Sequence, residues 1–161
     1  METQLYACTS NNKKQQGNNF YFDFPYQNRQ FKPNMRLKVL SANCILAGGN
    51  ENTLILKLHE RGANIATPDS DIRIPIAMLT NYNALTSTNA TIRNYNIFGD
   101  SYEVVVKTNP SRLMFSLFNN DNTTQQTYNN ITSVNIMIEC TYIDEAEQRK
   151  EIFSIQNYPQ L

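Results

Sequence analysis

Met35-Arg-Leu-Lys-Val-Leu-Ser-Ala-Asn-Cys-Ile-Leu46 carries the pattern on which the fold turns. Met35, Leu37 and Val39 face one way, and Leu40, Ala42, Cys44 and Leu46 continue the alternation on the shifted phase. A repeat of two is the side-chain period of a strand. The slip at Val39-Leu40 predicts a bulge or a strand buried on both faces. Gly48-Gly49-Asn50 then reads as a turn, and Leu54, Leu56 and Leu58 alternate with Ile55, Lys57 and His59 in a returning strand, so a hairpin is expected here.

The same period recurs downstream. Ile72, Ile74 and Ile76 alternate with Asp71, Arg73 and Pro75, and Ile76–Leu79 could start one helical turn before a long loop. Ile92–Phe98 and Tyr102–Thr108 flank Gly99-Asp100-Ser101, and Asn109-Pro110-Ser111 leads to Arg112–Asn119, which reads as three strands at hairpin spacing. After the polar stretch Asn119–Asn130, Val134, Ile136, Ile138, Cys140 and Tyr142 alternate with polar neighbours over a length that suits a central strand.

Upstream, Leu5–Thr9 and Phe20–Phe24 are short and β-prone, and the polar run Ser10–Asn19 between them is expected to be loop. Strands at this spacing, with no amphipathic helix of useful length, indicate an all-β domain: a single jelly-roll β-sandwich of about eight to ten antiparallel strands with flexible terminal arms. An immunoglobulin-like sandwich fits less well, because its Cys and Trp landmarks are missing. The expected division is an N-terminal arm with edge strands (1–34), a jelly-roll core (35–144) and a C-terminal tail (145–161). The pieces Met1–Ser10 and Ile152–Leu161, polar with a few apolar anchors, read as arms that gain order in an assembly.

Composition limits the function. With 161 residues the chain suits one domain, and 14 basic against 14 acidic residues leave it neutral, so neither nucleic acid nor membrane insertion is an expected partner. The best basic cluster, Arg29, Arg36 and Lys38, is diluted by Gln30, Pro33 and Asn34 and reads as a solvated strand edge. Asn makes up about one residue in seven, which suits turns and is also what AT-rich codons supply. Cys8, Cys44 and Cys140 lie in apolar or alternating stretches without C-x-x-C spacing, so three buried free thiols and a reducing compartment are expected, with no metal and no cofactor. The N-terminus lacks the basic and apolar regions of a signal peptide.

No residue set suggests an enzyme. The one histidine, His59, reads as a solvent-facing strand end. The carboxylate pairs Asp69/Asp71 and Asp100/Glu103 sit in turns, where Asp caps backbone amides, and Asp69, Ser70 and Asp71 offer oxygens for calcium without an EF-hand pattern. The glycines show no phosphate-loop spacing. Sequons at Asn89, Asn122 and Asn130 matter only in a secretory pathway. The aromatic run Phe20-Tyr21-Phe22-Asp23-Phe24-Pro25-Tyr26 stands out: it reads either as an ordinary edge strand or as a surface buried against a neighbouring subunit, with Phe20, Phe22, Phe24 and Tyr26 as the contact residues.

Met35–Leu46, Leu54-Ile-Leu-Lys-Leu58 and the closing Val134-Asn-Ile-Met-Ile-Glu-Cys-Thr-Tyr142 together resemble the small single jelly-roll capsid proteins of large icosahedral double-stranded DNA viruses and their virophage-type relatives. The resemblance spans 35–144 and lies in strand pattern and composition. It implies a structural virion protein, at the vertex (penton) or as a minor capsid component, made in the host cytoplasm. Its expected partners are copies of itself, as a homopentamer, and neighbouring capsid proteins. Two rival functions share the architecture: a carbohydrate-binding module or lectin using Tyr82, Tyr95 and Asn-rich loops, and a cupin-type metal enzyme, for which one histidine is too few.

Overall fold

The computed structural model describes residues 2–23, 35–48, 51–59, 73–81, 92–97, 99, 101–106 and 112–142. Among them are ten strands: β1 (Glu2–Thr9), β2 (Lys14–Gln16), β3 (Asn19–Asp23), β4 (Met35–Ala47), β5 (Thr53–His59), β6 (Arg73–Asn81), β7 (Ile92–Ile97), β8 (Glu103–Val106), β9 (Arg112–Asn119) and β10 (Ile131–Tyr142). All pair antiparallel in the order β1-β10-β4-β7-β6-β5-β9-β3-β2, with β8 also on β4. Among the described residues a ladder of three pairs, Leu79↔Ile97, Thr80↔Asn96 and Asn81↔Tyr95, joins β6 to β7, and the sheet divides there into two leaves.

One leaf is β1-β10-β4-β7/β8 and the other is β6-β5-β9-β3-β2. The chain passes back and forth between them, which is jelly-roll connectivity. Alternate residues of both leaves meet in a single core that includes Phe20, Cys44, Leu54, Leu79, Phe115 and Ile138. Each fully buried Leu or Phe there contributes roughly 1.5–3 kcal/mol through removal of apolar surface from water. The fold is thus the all-β sandwich that the alternation predicts.

The phase slip in β4 is a bulge. Met137 pairs with Ser41 and Ile138 with Val39, so Leu40 is the extra residue on its strand. Leu37 and Val39 point inward before it, and Ala42, Cys44 and Leu46 after it, while Leu40 itself is 43% exposed. One added residue keeps both halves of a 13-residue strand on the core.

Four expectations about local structure are corrected. β4 and β5 do not form a hairpin: β4 lies between β10 and β7/β8, and β5 between β6 and β9, so the chain beyond Gly48 (φ +81°) crosses from one leaf to the other. Likewise β7 and β8 do not pair with each other. Both run along β4, with Asn96 opposite Asn43 and Glu103 opposite Lys38, as one strand interrupted around Gly99 (φ +73°). Ser101 fastens the interruption by donating its hydroxyl to the Val39 carbonyl. The stretch Ile76–Leu79 is strand, not helical turn, because Leu54↔Leu79 and its neighbours continue the ladder of β5 with β6. Finally, the polar run 10–19 contains β2, closed on β3 by Gly17-Asn18, with Gly17 at φ +61° in the first central position that a two-residue turn reserves for glycine.

The segment read as an N-terminal arm is also strand: β1 pairs along its full length with β10, from Glu2↔Tyr142 to Thr9↔Asn135. Both ends of the sheet path, β1 and β2, come from the first 34 residues. The tail 145–161 lies outside the described residues.

Candidate interaction face

Of the aromatic run, the described residues 20–23 lie in β3, which is paired on both sides, with β9 and β2, and is not an edge strand. Phe20 and Phe22 are 0% and 3% exposed and pack edge to face on each other, and both rings contact Phe115 across the β3–β9 ladder. They are core residues of this chain and leave no surface for a neighbour, which corrects their assignment to an interface. Between them Tyr21 points the other way, under the Arg112 guanidinium 4.6 Å from its ring centre. Phe24 and Tyr26 lie outside the described residues.

His59 is likewise not solvent-facing. It is 2% exposed, and its Nε2 lies 3.2 Å from Ser116 Oγ on β9. On the same side of β5, Lys57 sits 3.8 Å above the Phe118 ring and donates to the Asn122 carbonyl at 3.2 Å. Desolvation, reinforced by nearby Arg73, lowers the Lys57 pKa, while Asp121 opposes the shift. Loop 119–130 folds back here through the Phe118↔Gln125 bridge and covers a face that the strand pattern alone leaves to water. Its turn is held by Asp121, whose carboxylate accepts from the Thr124 hydroxyl and from the Thr124 and Thr123 amides. These bonds bring its pKa down to about 2.

Cys8, Cys44 and Cys140 are buried free thiols, as expected. Burial pushes Cys8 and Cys44 up to about 12 and raises Cys140 further. Tyr95, a candidate sugar-stacking residue, is 1% exposed and donates its hydroxyl to the Glu51 carbonyl at 2.6 Å. Its partner in that reading, Tyr82, lies outside the described residues, as do Asp69, Asp71, Asp100 and Asn89. Glu103 pairs with Arg36 at 3.4 Å on the outer face of β4 and β8, so the basic residues of β4 stand on a central strand and not an edge.

The remaining candidate is the outer face of the β1-β10-β4-β7/β8 leaf. Its β1 margin is eight residues long, has no Pro, Lys or bulge to blunt it, and pairs with no other described strand on its outer side. Leu5 on this strand is 62% exposed. Other apolar side chains on the leaf are also open to water, including Leu40 at the bulge and Val105 at 42%. A straight, apolar-bearing edge of that length is a template for pairing with another chain.

No protein-family model and no curated protein matches this chain. The face must therefore be read from its own chemistry. Across it runs a row of short polar side chains, Thr9–Asn135–Asn43–Asn96, each directly opposite the next on neighbouring strands. Beside the row lies a depression of about 280 Å³ whose lining includes Ala7, Ser41, Ile97 and Met137. Sequence reading passed over these residues, yet a signal was present. Asn is disfavoured within strands, and Asn43, Asn94, Asn96 and Asn135 all stand at strand positions facing away from the core.

Proposed function

We propose that this protein is a structural virion component, a single jelly-roll capsid subunit that acts at the vertex or as a minor capsid protein by assembling with copies of itself and with neighbouring capsid proteins. The observation that carries the reading is the connectivity: the chain passes back and forth between two leaves, β1-β10-β4-β7/β8 and β3-β9-β5-β6, with β5 and β6 consecutive within one leaf, an order found in viral capsid and lectin domains. The long unblunted β1 margin with exposed Leu5 adds to it, because an assembling subunit uses what a monomer must hide. Because Phe20 and Phe22 belong to the core, the self-contact is assigned to the β1 side of the domain. Side-to-side contacts that close a ring are heterologous, so the β1 margin of one subunit meets a different surface of the next, and the ring expected is a pentamer.

The test is Leu5→Lys, which places a charge on the open margin in the way natural edge strands are protected. Light scattering should find an oligomer for the native chain and a folded monomer for the variant. An oligomer of unchanged mass in Leu5→Lys would remove β1 from the contact, and a native chain that stays monomeric would remove self-assembly.

A further inference from the structure

We propose that the row Thr9–Asn135–Asn43–Asn96, with the depression beside it, is a binding site for a neutral saccharide. The amides are oriented by their own bonds. Asn43 Nδ2 shares its two N–H groups among Asn94 Oδ1, Asn96 Oδ1 at 2.9 Å and the Tyr95 carbonyl at 3.2 Å. Asn43 therefore turns its Oδ1 outward as an acceptor, while Asn94 and Asn96, whose oxygens are used, turn outward their Nδ2 groups as donors. Asn135 Nδ2 donates to Ser133 Oγ at 3.4 Å, which leaves its Oδ1 as a second acceptor.

The row thus presents two neighbouring acceptors, on Asn135 and Asn43, and then a donor on Asn96, across adjacent strands roughly 4.8 Å apart. A sugar hydroxyl both donates and accepts, so neighbouring hydroxyls on one ring match such an array. The array carries no charge. The nearest charged rung, Glu139–Lys38–Glu103, lies beyond the Ala7–Met137–Ser41 rung, so an ionic ligand gains nothing specific here.

The depression supplies the other half of saccharide recognition, an apolar surface for the C–H face of a ring. Ala7 and Ser41 are small, Met137 offers a polarizable thioether, and Ile97 closes one side. The bulge at Leu40 sets this relief, because it places small Ser41, and not Leu40, opposite Met137. Site groups on paired strands hold their geometry better than groups on loops, and the row crosses four strands.

The site stands apart from the assembly reading and is tested separately. The native chain, isotope-labelled, is titrated with cellohexaose, maltohexaose and N-acetylchitohexaose, and with a heparin hexasaccharide as the charged comparison. One or more of the neutral sugars should shift the side-chain amides of Asn43, Asn96 and Asn135, and heparin should not. Asn96→Leu and Asn135→Leu should each weaken binding by about tenfold, the loss expected for one hydrogen-bonding group, with Tm kept as the check that both remain folded. Leu5→Lys should bind as the native chain does. Silence of these amides toward all three neutral sugars at about 10 mM, a response to heparin alone, or equal binding by both leucine variants would overturn the proposal.

Discussion

Phe20 stacks on Phe115 with ring centroids 5.9 Å apart and planes 24° from parallel, and through this contact β3 enters the core. β3 is fixed on β9 by Phe20↔Phe115 and Phe22↔Leu113 in the ladder itself, so the ring contact and the backbone pairing specify the same register. Truncating either ring leaves a void that the surrounding strands cannot collapse into.

Phe20→Ala should therefore cost about 3–5 kcal/mol in chemical denaturation, the range for large aromatic cavities. Leu5→Lys, on the exposed face, should stay within about 0.5 kcal/mol of the native chain. Equal losses in the two variants would mean that β3 is not part of the core.

The bulge makes a sharper prediction about chain length. Deleting Leu40 restores plain alternation from Leu37 through Leu46 and leaves every inward residue inward, so the domain should still fold, with a cooperative melt. Deleting Asn43 instead turns Cys44 and Leu46, now 0% and 1% exposed, toward water and should abolish folding. Circular dichroism of the two deletions separates these outcomes.

Thiol chemistry follows from burial. Because Cys8 and Cys44 are pushed up to about 12 and Cys140 is also raised, the thiolate population is negligible at pH 8 and access is closed. An aromatic disulfide reagent should label none of the three in the native state and all three in denaturant. Rapid native labelling at any one would contradict its place in the core.

Asp121 gives a pH signature. Its folded pKa, about 2, lies below the value of about 3.9 for an unfolded chain. Its ionised form therefore contributes stability that is complete above about pH 4 and is lost as the pH falls through about 2. A carboxyl titration by NMR should place Asp121 near 2, and Asp121→Asn should flatten the pH dependence of stability across that interval. A midpoint near 4 would mean that the Thr123 and Thr124 bonds do not persist in solution.

How far the sequence reveals this molecule depends on what alternation can encode. A two-residue period reports which side of a strand is dry, so β4, β5, the first half of β6, β7 through β10 and even the slip at Val39-Leu40 were legible. It does not report neighbours: Gly48-Gly49-Asn50 looks like a hairpin turn whether the chain returns beside β4 or crosses to the other leaf, and Gly99 looks the same in a turn and in an interrupted strand. Burial on the second face was equally hidden. Lys57 and His59 follow the polar phase, and the loop 119–130 that folds over Lys57 carries no local mark of doing so. Aromatic density in 20–26 could not distinguish core from interface, since the same rings serve both, and the amide row was invisible until register set Asn135, Asn43 and Asn96 side by side.

The assembly reading is tested most directly by native mass spectrometry of the purified full chain over a range of concentrations. The account predicts a discrete oligomer of five subunits that persists on dilution and is lost in Leu5→Lys. A native chain that remains a single subunit at every concentration would contradict it.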